Sequence, residues 1–592
     1  MSDLNRALTS KTIVENYLKK KEWRVKENSS SPYSFGGLNK YLIAEVSKDY
    51  WLREVYPEEI ARSYIDGDLH IHDLGGLSLY CCGYSLRDIL MKGVRGVSNI
   101  PVSSPAKHFD SILNQIANLT TIFQNEVMGA VAFNSFDTLL APFIKNDGLD
   151  YKHIKQSLQN FIFSINSNSR GGAEPAFSNI TFDLTPPNDL LNDNVIVGGK
   201  FQDFTYHDCQ HEMDLLNKAF FDLMLGGDSD GKVFSYPIPT YNIHSRFDWD
   251  NPNNDNLWKL AGKYGSPYFA NFLNSDLDIN DIRSMCCRLS INLKELRKKN
   301  GGLFGAGDST GSIGVVTINL PRIGYLAKTE GDLFLRLEYL LNLAKESLEI
   351  KRAWLNENVI GTGLLPAFDE YVGTIDNHFS TIGILGMNEM CLNFFGKSIV
   401  DEECRQFCIK VGEFINSKLI EFQEETKHLY NFEATPAEST CYRLALKDKE
   451  LYPEIITQGS GTDIYYTNSC HIPVKEIESI HKTFTHQDDL QVQFSGGTVI
   501  HIFLEGAISG EQAKSIIKTV CTKYKTPYVS LSPISRYCPD HGYIEDNVDE
   551  CPICKKRLKK YQKITGYLRC IDDFNKGKSA EFKERVQLNG SL

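Results

Sequence analysis

Four side chains near the C-terminus of this 592-residue chain have the types and spacing of a metal site. Cys538 and His541 form a C-x2-H pair and Cys551 and Cys554 a C-x2-C pair, with nine residues between the pairs. Thiolates and an imidazole on two tight turns can close a tetrahedron around Zn²⁺. With all four positions taken by protein the ion is structural, because no coordination position is left for chemistry; a water in place of His541 is the alternative for the fourth. Small zinc modules also serve nucleic-acid binding, but a net charge of −12 argues against a face that neutralises many phosphates.

Directly after these ligands stands Gly566, in Lys563-Ile564-Thr565-Gly566-Tyr567-Leu568-Arg569. An unpaired electron on a glycine Cα is shared between the flanking carbonyl and amide nitrogen. The missing side chain also lets a narrow loop tip enter a core that a Cβ would block. Alone, a Gly-Tyr pair reads as an ordinary turn. The chain holds fifteen cysteines, among them Cys81-Cys82, the adjacent Cys286-Cys287 and Cys391. The opening segment is polar and charged, without a secretory pattern, so a cytoplasmic location with reduced thiols is expected. Many of these thiols will be buried small hydrophobes.

The elements that must position these groups read as α/β. Hydrophobic content of 42% and charged content of 23% are those of a soluble globular protein, with no apolar run of bilayer-spanning length. Helical periodicity is expected from about 105 to 133 and from 332 to 356. Short β-rich runs lie at 69–72, 180–184, 314–319 and 497–502, and strands alternating with longer helices indicate a largely parallel sheet or barrel. A polar helical segment over residues 1–32 and a catalytic body over 33–532 are expected. Residues 533–592, rich in Cys, Lys and Asp, form an appendage.

The glycine segment, with the metal cluster just before it, resembles the C-terminal loop of the anaerobic (class III) ribonucleotide reductases, a family of glycyl-radical enzymes. The resemblance extends through Gly67-Asp68-Leu69-His70-Ile71-His72-Asp73, Tyr236-Pro237-Ile238-Pro239-Thr240, Ser284-Met285-Cys286-Cys287-Arg288, Gly314-Val315-Val316-Thr317-Ile318-Asn319, Gly386-Met387-Asn388-Glu389, Ala434-Thr435-Pro436-Ala437-Glu438-Ser439 and Phe494-Ser495-Gly496-Gly497-Thr498. It implies a ten-stranded α/β barrel of two parallel half-sheets around a central finger loop, with the zinc site and glycyl-radical loop appended. The implied reaction is anaerobic reduction of ribonucleoside 5′-triphosphates to 2′-deoxyribonucleoside 5′-triphosphates.

By the same resemblance Gly566 stores the radical and Cys287 forms the thiyl, with Cys286 as the competing choice. Cys81 is the reducing thiol on the opposite wall. Cys391 is either a second reducing thiol or a core cysteine. Thr435, Ser439 and Thr440 lie where a helix N-terminus would hold substrate phosphates, the alternative being helix capping by Thr435. His70 and His72 read as hydrogen-bonding groups rather than metal ligands. A [4Fe–4S] S-adenosylmethionine radical activase, formate or a glutaredoxin/thioredoxin-like reductant, a homodimer and dNTP/ATP effectors are implied, with no membrane or direct nucleic-acid partner. The family's N-terminal ATP cone has no counterpart in residues 1–32. Lys563 stands where the family usually has Arg, and Cys570 where it has Pro. A lyase of the pyruvate formate-lyase type is the alternative.

Overall fold

The structure, a computed structural model, describes residues 9–20, 33–97, 100–167, 174–274, 309–435, 437–564 and 566–590, together with the backbone of 282–284 and 290–292. Ten strands build the central body: β1 (Cys81–Gly83), β2 (Val131–Phe133), β3 (Ser178–Phe182), β4 (Ile238–Ile243), β5 (Tyr268–Asn271), β6 (Gly311–Asn319), β7 (Phe379–Leu385), β8 (Leu429–Glu433), β9 (Ile500–Leu504) and β10 (Tyr528–Pro533). β1 to β5 run parallel to one another in that order. β6, β7 and β8 form a second parallel set, and β9 pairs parallel with β10.

Two antiparallel joints connect the halves. At one, Gly311 and Ser312 of β6 face Cys82 and Cys81 of β1. At the other, Tyr528 and Val529 of β10 face Ala270 and Phe269 of β5. The circle closes where Glu433 bridges in parallel to Gly496, just before β9, and Ala434 N–H donates to Gly496 O at 2.8 Å. Gly497 follows with φ +66°, and a Cβ there would lie 2.4 Å from Ala434 O, so the seam requires glycine. The result is two five-stranded parallel half-sheets set antiparallel in one barrel.

Strands enclosed on both faces read as unbroken apolar and small runs rather than alternating ones, and all nine residues of β6 are buried. Helices cover the outside. The longest, Glu330–Asn358, sets Leu333, Leu337, Leu341, Ala344 and Leu348 into the apolar layer between helices and barrel. The helical periodicity expected from 105 to 133 resolves into a helix at Phe109–Gln124, capped at Asn125, and then β2. A short antiparallel pair, Ile282–Ser284 with Ser290–Asn292, flanks residues 285–289. Cys286 and Cys287 lie outside the described residues.

Past β10 the chain makes a four-stranded sheet of β11 (Ser535–Cys538), β12 (Gly542–Ile544), β13 (Lys559–Lys563) and β14 (Leu568–Cys570). A helix at Lys576–Glu584 follows. The tail then returns to the barrel, where Leu588 N–H donates to Phe503 O at 2.8 Å and Glu505 N–H to Leu588 O at 3.2 Å.

Candidate active site and metal centre

Gly566 sits at the tip of a β-hairpin. β13 and β14 pair antiparallel up to Lys563 and Leu568, and Ile564 N–H donates to Tyr567 O at 3.1 Å to close the turn. The tip is buried inside the barrel, where Tyr567 packs with Tyr236, Tyr268, Val499 and Tyr528. Three contacts hold it. The Tyr268 hydroxyl donates to Gly566 O at 2.5 Å, the Tyr567 hydroxyl to the Glu438 carboxylate at 2.5 Å, and the Arg569 guanidinium to the Tyr236 hydroxyl at 2.9 Å. From behind, the buried Arg585 guanidinium donates to Gln562 Oε1 and Lys563 O, each at 2.9 Å, and ion-pairs with Glu581 at 2.8 Å. An arginine fork shared between the hairpin strand and the helix that carries Glu581 fixes the register of the strand more firmly than a point charge.

Cys81 lies on the same interior. It is 1% exposed and packs with Ala130, Ala132, Phe379 and Leu429, with Tyr80 and Phe177 against them. Phe177 also meets the rings of Tyr236 at 5.6 Å and Tyr567 at 5.9 Å, so one aromatic joins the wall bearing Cys81 to the hairpin tip. The antiparallel joint forces this approach: a Cβ on Gly311 would stand 2.0 Å from Cys81 O.

Cys391 is placed elsewhere. It is fully buried on the helix Met387–Phe395 in the outer apolar layer, with its Sγ 3.4 Å from Cys408 Sγ. That hydrogen bond and burial hold its thiol far above the usual range. The structure brings Cys391 to Cys408 rather than to Cys81.

Thr435, Ser439 and Thr440 are all buried at the end of β8. The helix begins at Thr440 with Ser439 at its N-cap, so Thr435 does not cap it; Ser439 makes no side-chain capping bond. Thr435 instead accepts from Thr317 Oγ1 at 3.1 Å, and Thr317 Oγ1 lies 2.8 Å from His72 Nε2. Arg443 and Glu438, to which sequence reasoning gave no role, complete this end. Arg443 Nη1 lies 3.2 Å from His70 Nδ1, and its guanidinium stacks on the Tyr64 ring at 4.2 Å. The signal for Arg443 was its place three residues after Thr440, on the same face of the first helical turn. Burial lowers the pKa of His70, with His72 and Arg443 adding to the shift, so a neutral imidazole and a guanidinium stand together near this helix N-terminus.

The metal-ligand set is assembled. The ligand atoms of Cys538, His541, Cys551 and Cys554 all lie within 4.8 Å of one another. Cys538 Sγ is 3.6 Å from both His541 Nδ1 and Cys554 Sγ, and Cys551 Sγ is 3.5 Å from His541 Nδ1. Zinc–ligand lengths of about 2.0–2.3 Å in a tetrahedron put neighbouring ligand atoms about 3.3–3.8 Å apart, so the four residues fit the ion. β11 carries Cys538 and pairs with β13, which leads into the Gly566 turn, so the centre lies at the root of the hairpin.

The sequence model of the family described as anaerobic ribonucleoside-triphosphate reductase matches residues 27–588. The chain belongs to this family. Its relatives include the anaerobic ribonucleoside-triphosphate reductase of Enterobacteria phage T4, 22% identical over 627 residues and covering 95% of this chain and 96% of that protein. The reductase of Haemophilus influenzae is 21% identical over 609 residues, covering 92% and 81%. Among solved structures, an anaerobic ribonucleotide reductase superposes with a TM-score of 0.77 at 21% identity, over 98% of this chain and 94% of that one. The Thermotoga maritima enzyme in complex with dATP and CTP gives 0.75 at 21% identity, over 97% and 94%. Membership makes the chain an oxidoreductase, and the comparisons favour this over the lyase alternative. No helix among the described residues is long and apolar enough to cross a membrane.

Proposed function

We propose that the chain reduces ribonucleoside 5′-triphosphates to 2′-deoxyribonucleoside 5′-triphosphates by radical chemistry that starts at Gly566. The observation that supports this most directly is the burial of Gly566 at a hairpin tip inside the barrel, on the interior that also holds Cys81. An S-adenosylmethionine radical activase removes a hydrogen atom from the Gly566 Cα. The stored radical then takes the hydrogen of the Cys287 thiol, leaving a thiyl that abstracts the substrate 3′-hydrogen. The 2′-hydroxyl leaves as water, Cys81 donates a hydrogen atom to the 2′-carbon, and Cys287 returns the hydrogen to the 3′-carbon, which restores its thiyl radical. Two electrons must come from outside, from formate oxidised to CO₂ or from a dithiol protein oxidised to its disulfide.

Ser439 and Thr440, with the amides of the helix they open, hold the substrate phosphates, while Thr435 steadies the wall through Thr317 and His72. The packing of Cys391 against Cys408 supports the core reading of Cys391, which leaves formate as the simpler donor. Cys538, His541, Cys551 and Cys554 hold Zn²⁺ as a cross-link below the hairpin. The active form is a cytoplasmic homodimer that takes dNTP and ATP effectors, as the Thermotoga maritima enzyme takes dATP in its specificity site.

The test is anaerobic activation with the cognate activase, followed by turnover of a ribonucleoside triphosphate with formate or with a reduced redoxin. Deoxyribonucleotide formation with either donor supports the reading. No product from a preparation with a full glycyl-radical signal overturns it.

A further inference from the structure

Resting on the reading that Gly566 carries the radical, we infer that Tyr268 is a positioning residue that tunes the radical site, with Lys563 as its electrostatic support. The Tyr268 hydroxyl donates to the carbonyl oxygen of Gly566 at 2.5 Å. That carbonyl is the electron-withdrawing partner in a Cα radical; the amide nitrogen on the other side is the electron-releasing one. A hydrogen bond to the oxygen makes the carbonyl a stronger acceptor and draws spin density off the Cα, which stabilises the stored radical against return to sulfur. A donor already aimed at the atom where charge gathers needs no rearrangement when the radical forms.

Lys563 strengthens the donor. Its ammonium stands 3.9 Å from the centroid of the Tyr268 ring and reaches Ser530 Oγ on the neighbouring strand. A cation on the face of a phenol pulls density from the ring and makes the O–H a better donor. Tyr268 is itself 1% exposed on β5, with its ring packed by Tyr236, Ala270 and Tyr528, so the hydroxyl is held at a fixed point in the wall. The three groups come from three elements: a barrel strand, the hairpin strand β13 and the hairpin tip.

The test uses the full chain, activated anaerobically, with electron paramagnetic resonance and electron–nuclear double resonance in H₂O and D₂O. In the wild-type protein an exchangeable proton couples to the glycyl radical. In Tyr268→Phe that coupling is lost, the spin content after a fixed activation time falls roughly fivefold, the worth of one buried neutral hydrogen bond, and the signal decays faster. Lys563→Met, which keeps the phenol, retains the coupling and gives an intermediate spin content; it reads the same effect should Tyr268→Phe fold poorly. A Gly566-dependent doublet whose spin content, decay and exchangeable coupling are all unchanged in Tyr268→Phe overturns this inference alone. A doublet that persists in Gly566→Ala overturns the radical assignment, and this inference with it.

Discussion

The Tyr567 hydroxyl donates to the Glu438 carboxylate at 2.5 Å, joining residues 129 positions apart. Tyr567 follows the hairpin glycine, and Glu438 directly precedes Ser439 and Thr440 at the helix proposed to hold substrate phosphates. One hydrogen bond therefore ties the hairpin tip to the nucleotide end of the barrel. Burial, reinforced by the Glu438 charge, holds the Tyr567 phenol protonated far above its usual range, so it remains a donor at any physiological pH.

Replacing Tyr567 with Phe leaves a buried carboxylate one donor short, a loss of about 1–3 kcal/mol. That cost falls on the docked hairpin. The kcat should fall about 10- to 100-fold, with a much smaller change in KM and no loss of the barrel's circular-dichroism signal. Steady-state kinetics under anaerobic conditions decide it; a variant with wild-type kcat removes this contact from any role in docking.

Metal removal should loosen the hairpin before the barrel. Cys538 and Cys551 are fully buried with Leu558 in a small cluster of their own, separate from the main apolar layer. Stripping the ion, or Cys551→Ser, should abolish radical installation while the cooperative unfolding of the barrel changes little. Metal content by mass spectrometry, spin content and a denaturant titration measure the three parts. Full radical yield in metal-free protein contradicts the cross-link role.

Gly566→Ala should fold and bind nucleotide but give no radical and no turnover. The activated wild-type chain, once exposed to air, should break at Gly566 and release a C-terminal piece of about 26 residues under denaturing conditions. Intact mass after air exposure of a spin-bearing sample goes against storage of the radical there.

Buried histidines, His378 and His70 among them, set an acid limit on stability. His378 is fully buried with neither ring nitrogen hydrogen-bonded among the described residues, and burial, then Arg352, lowers its pKa to about 3. His70 is lowered as well, by burial first. Below the ordinary histidine pKa of about 6.5 the unfolded chain takes up protons that the folded chain refuses. Their share of stability is complete above that pH and is lost as pH falls toward 3. His378→Leu should flatten the dependence by about 1.4 kcal/mol per pH unit between roughly pH 6 and 4. Urea midpoints at a series of pH values measure it; an unchanged slope places His378 outside the titration.

Legibility in the sequence followed the range of the interaction concerned. The ligands Cys538, His541, Cys551 and Cys554 were readable because their spacing is local, and the structure assembles all four. The alternation of elements indicated α/β, but only the resemblance supplied two half-sheets, since nothing local to Tyr528 or Ala270 announces that they meet antiparallel. Tyr268 and Glu438 were missed as partners of the glycine turn because each is brought there by strand order, 298 and 129 residues away. The helix N-terminus at Ser439 and Thr440 was legible, whereas the alternative of a cap at Thr435 fails, because Thr435 is drawn into a bond with Thr317.

The returning tail changes what damage to this molecule would look like. Residues past Gly566 are clasped by Arg585 and by the bonds of Leu588 to Phe503 and Glu505, none of which depends on chain continuity through the turn. A severed copy should therefore keep its native size and elute with intact protein. Inactivation would be silent to any inspection that does not first unfold the chain.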